Sequence, residues 1–547
     1  MATVYVNNKA IDIGNERLNC VQAAEKAGVL VPHYCYHPAL SVVASCRMCL
    51  VEVGEKKPDG TIAMQPKVVP GCQTPVKDGT VIVTDSPKAK AAQGDTLEGL
   101  LLNHPLDCPV CDKAGECKLQ DYSFQFGHAQ SRMIDQKNTP PNKPDISEKI
   151  TLFTDRCILC TRCVRFTREV AGTAELTVVG RGHHEEIDIF PGEPLANKLS
   201  GNVVDLCPVG ALGSKDFLYK QRVWYLKEED SVCPNCSTGC SIQVDSNKDI
   251  VFRLRPRFNP LAQGHFMCDE GRYGYHYINS DTRFGKPLEQ IEVGQFKAVS
   301  WQNALSGIKK EFLLAGQEHS DQLYAILSPF LTVEEAYLAA KWFKMISPNS
   351  KLALGAVPVH GENDTYPKDR RGNATSTVKF TIRAEKAPNR LGVEAVLKHF
   401  EGEVITFDQV VEAVKRNEVQ GLFLTAGYPD SKTIDDYQAD RLDDVKLLVT
   451  LDLLPSTVAS GSKYILPATS FAEKEGTYVN YAGLAQGLKR TVKAPKECRP
   501  EAQIFMDLLG LPGLYNAQTI REMIAREIPY FAPLAKGIGE YGVKLGT

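Results

Sequence analysis

Residues 157–163 read Cys157-Ile158-Leu159-Cys160-Thr161-Arg162-Cys163, and 43 residues after the third thiol the chain reads Cys207-Pro208. Three thiols at two-residue gaps, closed by a distant Cys-Pro, is the spacing with which a small ferredoxin-like domain holds a four-iron, four-sulfur cubane. One complete quartet is present, so a single cluster is expected here. Arg156, Arg162, Arg165 and Arg168 flank the set. They either tune its charge or solvate a helix face, and the residues alone do not choose.

Three further sets lie around this one. Towards the N-terminus stands Cys35-x10-Cys46-x2-Cys49-x22-Cys72. A short pair with two outlying thiols is the arrangement of a two-iron, two-sulfur site, with zinc as the bland alternative. Its first gap is longer than the four residues of plant-type ferredoxins, and Arg47 between the ligands favours a reduced cluster. Next comes His104-x3-Cys108-x2-Cys111-x5-Cys117, in the run HPLDCPVCDKAGEC. Pro105, Pro109 and Gly115 shape a tight loop there. An imidazole in place of one thiolate makes a cluster less negative and raises its potential. Zinc is the competing reading for this set. Beyond Cys207 lies Cys233-x2-Cys236-x3-Cys240-x27-Cys268. A zinc ribbon has a C-x-x-C pair on each side, and here the far side offers one cysteine, which favours a cubane. Cys20 and Cys498 belong to no set and read as small buried hydrophobes.

The 547 residues allow three or four domains with sizeable cores. A formal net charge of −3 offers no basic patch for nucleic acid. No secretory or transit segment and no membrane-spanning apolar run are read, so membrane contact is expected only through other subunits. Clustered thiols in such a chain read as metal ligands, not disulfides.

Thr3–Val6 and Lys9–Ile13 read as strands about an Asn-Asn turn, with a short helix over Val21–Gly28, an order that suits a β-grasp domain. NTPPNKPD at 138–145 and KEEDS at 227–231 mark boundaries. In the second half, Phe407–Val414 has helical periodicity, and Gly421–Thr425 and Val445–Leu451 are continuous apolar strands. Together they point to a parallel α/β layer. The expected division is 1–82 two-iron β-grasp domain, 83–137 cubane domain with one histidine and three cysteine ligands, 138–225 ferredoxin-like cubane domain, 226–282 a fourth cubane domain, and 283–547 an α/β domain. There is no G-x-G-x-x-G dinucleotide fingerprint after a strand. His183-His184 could be a ligand pair, but an exposed loop is the stronger reading.

These four sets in this order resemble the family of the large iron–sulfur subunit of respiratory complex I, the NADH-quinone oxidoreductase. The fourth set and the chain beyond it resemble the related molybdopterin oxidoreductases. Leu466-Pro467, Glu473, Gly476-Thr477 and Asn480 match their pattern. Two departures stand out. Where the pterin enzymes have Cys-x-Lys-Gly-Arg, this chain has Cys268-Asp269-Glu270-Gly271-Arg272, an anion where a cation carries electrons towards the pterin. Asn-x-Glu-Gly-Arg becomes Asn480-Tyr481-Ala482-Gly483-Leu484. The resemblance implies that Cys35, Cys46, Cys49 and Cys72 hold one 2Fe-2S cluster. Three 4Fe-4S clusters are implied on His104, Cys108, Cys111 and Cys117; on Cys157, Cys160, Cys163 and Cys207; and, off the main path, on Cys233, Cys236, Cys240 and Cys268. No molybdopterin and no catalytic residue are expected, and the C-terminal half is read as a truncated relic acting as scaffold. The implied partners are the NADH/FMN-binding subunit and other peripheral-arm subunits, including the 4Fe-4S subunit leading to quinone. The implied location is peripheral, on the cytoplasmic face of the bacterial inner membrane. An iron–sulfur subunit of an NAD-linked formate dehydrogenase or hydrogenase is the alternative, and a truncated molybdenum formate dehydrogenase is a weaker one.

Overall fold

The computed structural model describes residues 2–375 and 380–546. They form two compact units: 2–225 together with 366–375, and 226–365 together with 380–546.

The first unit opens with antiparallel strands Ala2–Val6 and Lys9–Gly14. Asn7 and Asn8 close the hairpin with φ of 46° and 67°, a left-handed conformation that asparagine tolerates. Helix Cys20–Lys26 begins one residue before the predicted start, because Asn19 and Gln22 form a reciprocal capping box. Strand Thr80–Val83 then slots between Ala2–Val6, to which it is parallel, and Leu50–Lys56, to which it is antiparallel. Val4, Val6, Val51, Val53 and Ile82 bury the resulting β-grasp core. Helices Pro87–Leu101 and Lys118–Phe126 follow, the first capped by Ser86 with proline at its first position.

Strands Ile150–Leu152 and Leu212–Ser214 pair antiparallel, so the two ends of the third thiol segment are brought side by side. Helices Arg162–Phe166 and Asn202–Leu206 lie between them in sequence. Segment 366–375 belongs to this unit, although its place in the sequence puts it in the C-terminal half. Lys368 donates its amide to Val170 O at 3.0 Å. Gly172, at φ 77°, faces Lys368 so closely that a Cβ would lie 2.8 Å from the lysine Cβ.

The second unit begins with a three-stranded antiparallel sheet, Lys227–Val232, Ser241–Asn247 and Ile250–Pro256. Its body is a seven-stranded sheet in the order Gln295–Ala298, Leu288–Glu292, Tyr464–Pro467, Leu447–Asp452, Gly421–Thr425, Leu323–Leu327, Lys351–Leu354. The last five run parallel and the first two form an antiparallel edge. Continuous apolar strands are explained by two cores. Leu323, Ala325, Leu327, Phe423, Val449 and Leu451 face one, while Tyr324, Ile326, Leu422, Leu424 and Leu448 face the other. Helix Phe407–Lys415 lies where its periodicity predicts. The strand predicted at Val445–Leu451 starts two residues later, at Leu447.

Candidate metal centres

In the first set Cys35, Cys49 and Cys72 are buried and Cys46 is half-buried. Cys35 lies against Cys46 and Cys72, and Cys49 against Cys72. Backbone amides point at the sulfurs: Cys35 N lies 3.4 Å from Cys46 Sγ and Cys72 N 3.5 Å from Cys49 Sγ. Such donors stabilise negative charge on sulfur. Ala44 and Arg47 hold φ of 53° and 56°, a conformation non-glycine residues seldom adopt, which wraps the loop around its thiols. Arg47 itself is exposed.

In the third set Cys160, Cys163 and Cys207 are buried and Cys157 is half-buried. They lie close enough to act on one another electrostatically. Leu159 and Thr161 hold φ of 49° and 58°, and Leu159 N points at Cys157 Sγ, 3.4 Å away. Burial drives the Cys157 thiol up to about 12 and Cys160 to about 11. These groups stay protonated at neutral pH unless a bound cation stabilises the thiolate.

The second set brings Cys108, Cys111 and Cys117 together, with Cys108 the one exposed thiol of all four sets. His104 shares this loop. Desolvation, then Lys137 and Arg156, pull its imidazole down to about 4, so the ring is neutral and able to coordinate. Its Nδ1 is buried and has no hydrogen-bond partner among the described residues. Gly210, three residues after Cys207, touches this set: a Cβ there would overlap Cys111 Sγ. Arg222 donates to Cys111 O at 2.8 Å and also to Pro109 O.

The fourth set is buried throughout. Cys233 and Cys268 converge on Gly271, where a Cβ would stand 2.9 Å from one sulfur and 3.6 Å from the other. The Cys236–Cys240 turn is held from outside by Asn480 Nδ2 to Thr238 O at 3.0 Å and Gln486 Nε2 to Gly239 O at 2.7 Å. Asn480, part of the pterin-enzyme pattern, thus braces a cysteine loop. Glu270, the anion in the lysine position of that pattern, carries a counter-cation. Lys386 Nζ donates to its carboxylate at 2.5 Å, a cation supplied from a distant loop.

The arginines beside the third set divide. Arg156, Arg162 and Arg165 are buried, and Arg168 is exposed. Arg156 pairs with Asp107 at 3.0 Å. Arg162 donates to Tyr36 O and Leu206 O, and Arg165 to Ser41 O, Cys35 O and Cys160 O. Neither Arg162 nor Arg165 has a carboxylate partner within ion-pair distance among the described residues. Sequence reading grouped the thiols and missed this cross-set bonding. The visible signal is that Arg162 and Arg165 stand three residues apart on one short helix. His183 and His184 are exposed and stack on each other at 3.7 Å, as a surface loop allows. Cys20 is fully buried, whereas Cys498 is half-buried and lies 3.2 Å from Phe284 O as a thiol donor.

A tetrahedral zinc with 2.3 Å Zn–S bonds draws its thiols to about 3.8 Å from one another. Among the described residues, Asp95, Glu98 and His128 form the set of three or more candidate ligands mutually within 4.8 Å, and no cysteine is in it. Buried thiols, sulfur-directed amides, a neutral histidine with a free ring nitrogen and buried cations without carboxylates all fit polynuclear anionic clusters.

Such a chain is a multi-centre iron–sulfur protein joined to an α/β body. Family models match it in five consecutive parts. They are a 2Fe-2S iron-sulfur cluster binding domain over residues 2–87, the NADH-ubiquinone oxidoreductase-G iron-sulfur binding region over 93–132 and the NADH-quinone oxidoreductase subunit 3 ferredoxin-like domain over 147–213. The molybdopterin oxidoreductase Fe4S4 domain over 226–280 and molybdopterin oxidoreductase over 401–510 complete the series. The G subunit of NADH-quinone oxidoreductase from Rickettsia felis is 29% identical over 98% of this chain and 92% of its own length. The NADH-ubiquinone oxidoreductase 75 kDa subunit of Reclinomonas americana is 35% identical over 68% of this chain and 51% of its own. The mitochondrial NADH dehydrogenase [ubiquinone] iron-sulfur protein 1 of Solanum tuberosum is 43% identical over 55% of this chain and 39% of its own. The chain belongs to this family, the G or 75 kDa iron–sulfur subunits of NADH-quinone oxidoreductase.

Proposed function

We propose that this chain is an electron-transfer subunit of a proton-pumping NADH:quinone oxidoreductase. It relays electrons from an NADH- and flavin-binding subunit towards the quinone-reducing subunits. The observation that carries the reading is the density of ligand sets: three of the four lie within one compact unit. Bound clusters supply one-electron redox centres whose potentials the protein sets. The chain's own residues do the rest. Cys35, Cys46, Cys49 and Cys72 hold a 2Fe-2S cluster. His104, Cys108, Cys111 and Cys117 hold a 4Fe-4S cluster, as do Cys157, Cys160, Cys163 and Cys207. Cys233, Cys236, Cys240 and Cys268 hold a fourth that stabilises its domain off the main path. Burial keeps water from the thiolates, and inward-facing amides and arginines offset their charge. The domain limits at residues 82, 137, 225 and 282 parcel the chain accordingly.

The C-terminal body acts as scaffold in this reading. In α/β sheets ligands bind outside the carboxyl ends of the strands. There, beside Thr425, Gly427, Leu451 and Leu453, the free volume is about 10 Å³, room for one water. Lys474, ion-paired to Glu335 and Glu501, lines it. No helix among the described residues is long and apolar enough to cross a membrane. Attachment to the cytoplasmic face of the inner membrane therefore goes through partner subunits, including the 4Fe-4S subunit leading to quinone. A role in an NAD-linked formate dehydrogenase or hydrogenase is the weaker alternative, since two of the matched regions carry NADH-quinone or NADH-ubiquinone oxidoreductase names.

The test is metal content per anaerobically purified chain. About fourteen irons with neither zinc nor molybdenum is the expected result. About ten irons and one zinc would make the fourth site structural, and stoichiometric molybdenum would overturn the scaffold reading.

A further inference from the structure

The first and third thiol sets lie far apart in sequence, yet one short helical segment holds both loops. Arg162 and Arg165 stand at i and i+3 on helix Arg162–Phe166, and Glu169 lies in the π-helical turn Thr167–Ala171 that continues it. Arg162 donates to Tyr36 O. Arg165 donates through Nη1 to Ser41 O and through Nη2 to Cys35 O, both at 2.5 Å. The same Nη2 lies 3.2 Å from Cys160 O. Glu169 accepts from Ser41 N at 2.8 Å and Ser41 Oγ at 2.5 Å. Three side chains of this segment thus clamp residues 35–41, which open the first set, onto the third.

Arg165 is the centre of this clamp. One guanidinium nitrogen touches the carbonyls of a candidate ligand from each set, Cys35 and Cys160. A buried cation is costly without a counter-charge, and no carboxylate within ion-pair distance supplies one among the described residues. Glu169 shares Ser41 with it, and Cys160 lies close enough to feel its charge. Arg162 repeats the theme at lower definition: buried, carbonyl-bonded, with Nε lacking any partner.

We propose that Arg165 is a shared positioning and charge-tuning residue for the first and third centres. It fixes the spacing of their ligand loops and raises the reduction potential of both. The inference rests on the cluster assignment above. The sign follows from charge: reduction adds an electron to each centre, and a fixed cation in a low-dielectric surrounding favours the more negative state.

The experiment is a redox titration followed by electron paramagnetic resonance on the full-length chain carrying its clusters. Iron content is measured on the same samples. R165Q is expected to shift the reduction equilibrium at the first and third centres about tenfold towards the oxidised form, or 59 mV for one electron. The second and fourth centres should stay in place. R165K keeps the charge and loses the fork, so its shift should be less than half as large. If R165Q fails to assemble, R165K carries the test and should lower both potentials by a smaller step. Unchanged potentials in R165Q, or in R165K where R165Q does not assemble, would overturn the proposal. So would a shift in R165K equal to that in R165Q, or an equal shift at all four centres. A wild-type chain without a two-iron signal would instead remove the cluster assignment itself.

Discussion

Both units bury charge, and they answer it differently. In the second unit, Lys474 sits between Glu335 and Glu501 at 2.9 and 3.1 Å, Arg283 pairs with Glu473 and Arg521 with Glu334. In the first unit, Arg162 and Arg165 meet backbone carbonyls and no acid, while thiols that burial holds protonated stand nearby. The second unit is neutralised by its own side chains. The first answers Arg156 with Asp107 but gives Arg162 and Arg165 only carbonyls, so its stability is expected to depend more on bound clusters than the body's does.

The largest expected effect separates the units outright. Stripping iron with a chelator should abolish amide-exchange protection across 147–213, because metal binding energy is folding energy in a small, metal-stapled domain. Strands Leu323–Leu327, Gly421–Thr425 and Leu447–Asp452 should keep theirs. Equal loss in both would end the contrast. Gly210→Ala comes next. Its Cβ meets Cys111 Sγ, so iron analysis should find the second site's share missing while the other sites stay loaded.

Lys474→Met strikes the opposite unit. It leaves Glu335 and Glu501 buried without their cation and should cost about 3–5 kcal/mol. Calorimetry should show this in the C-terminal transition, with iron content unchanged. A pH series sharpens the point. Burial, then Glu501, raise Glu335 to about 8, so the folded state holds a proton that the unfolded state releases above about 4.5. Stability of this unit therefore falls as pH rises from that value through 8, at up to about 1.4 kcal/mol per pH unit. Glu335→Gln should flatten the profile in urea melts between pH 6 and 9. The smallest effect is electrostatic. Lys386→Gln leaves Glu270 uncompensated beside Cys268 and should lower the fourth site's potential, and Glu270→Gln should raise it, as redox titration reads directly.

How far the sequence could be read depends on the range of each interaction. Ligand spacing is local: Cys157, Cys160 and Cys163 lie within seven residues, and the loop that aims them is short. An unbroken apolar run is local too, so Gly421–Thr425 could be read as buried on both sides. Arg165 reaches Cys35 across 130 positions and Lys386 reaches Glu270 across 116, and no local pattern announces such partners. The anion at Glu270 was legible, but its neutralisation was not. The Lys474 cluster was equally hidden, because a lone lysine in LPATSFAEKEG gives no sign that two glutamates from other helices will enclose it.

Segment 366–375 has a consequence in time as well as in space. The ribosome finishes residue 225 well before it reaches this stretch, roughly ten to thirty seconds earlier at ordinary bacterial elongation rates. Throughout that interval Val170 lacks the amide of Lys368, and Gly172 faces no neighbour. The cysteine-rich unit thus emerges complete in its thiols but unfinished in its backbone. All the thiols of this unit are therefore synthesised before the segment that completes its backbone packing at Val170 and Gly172.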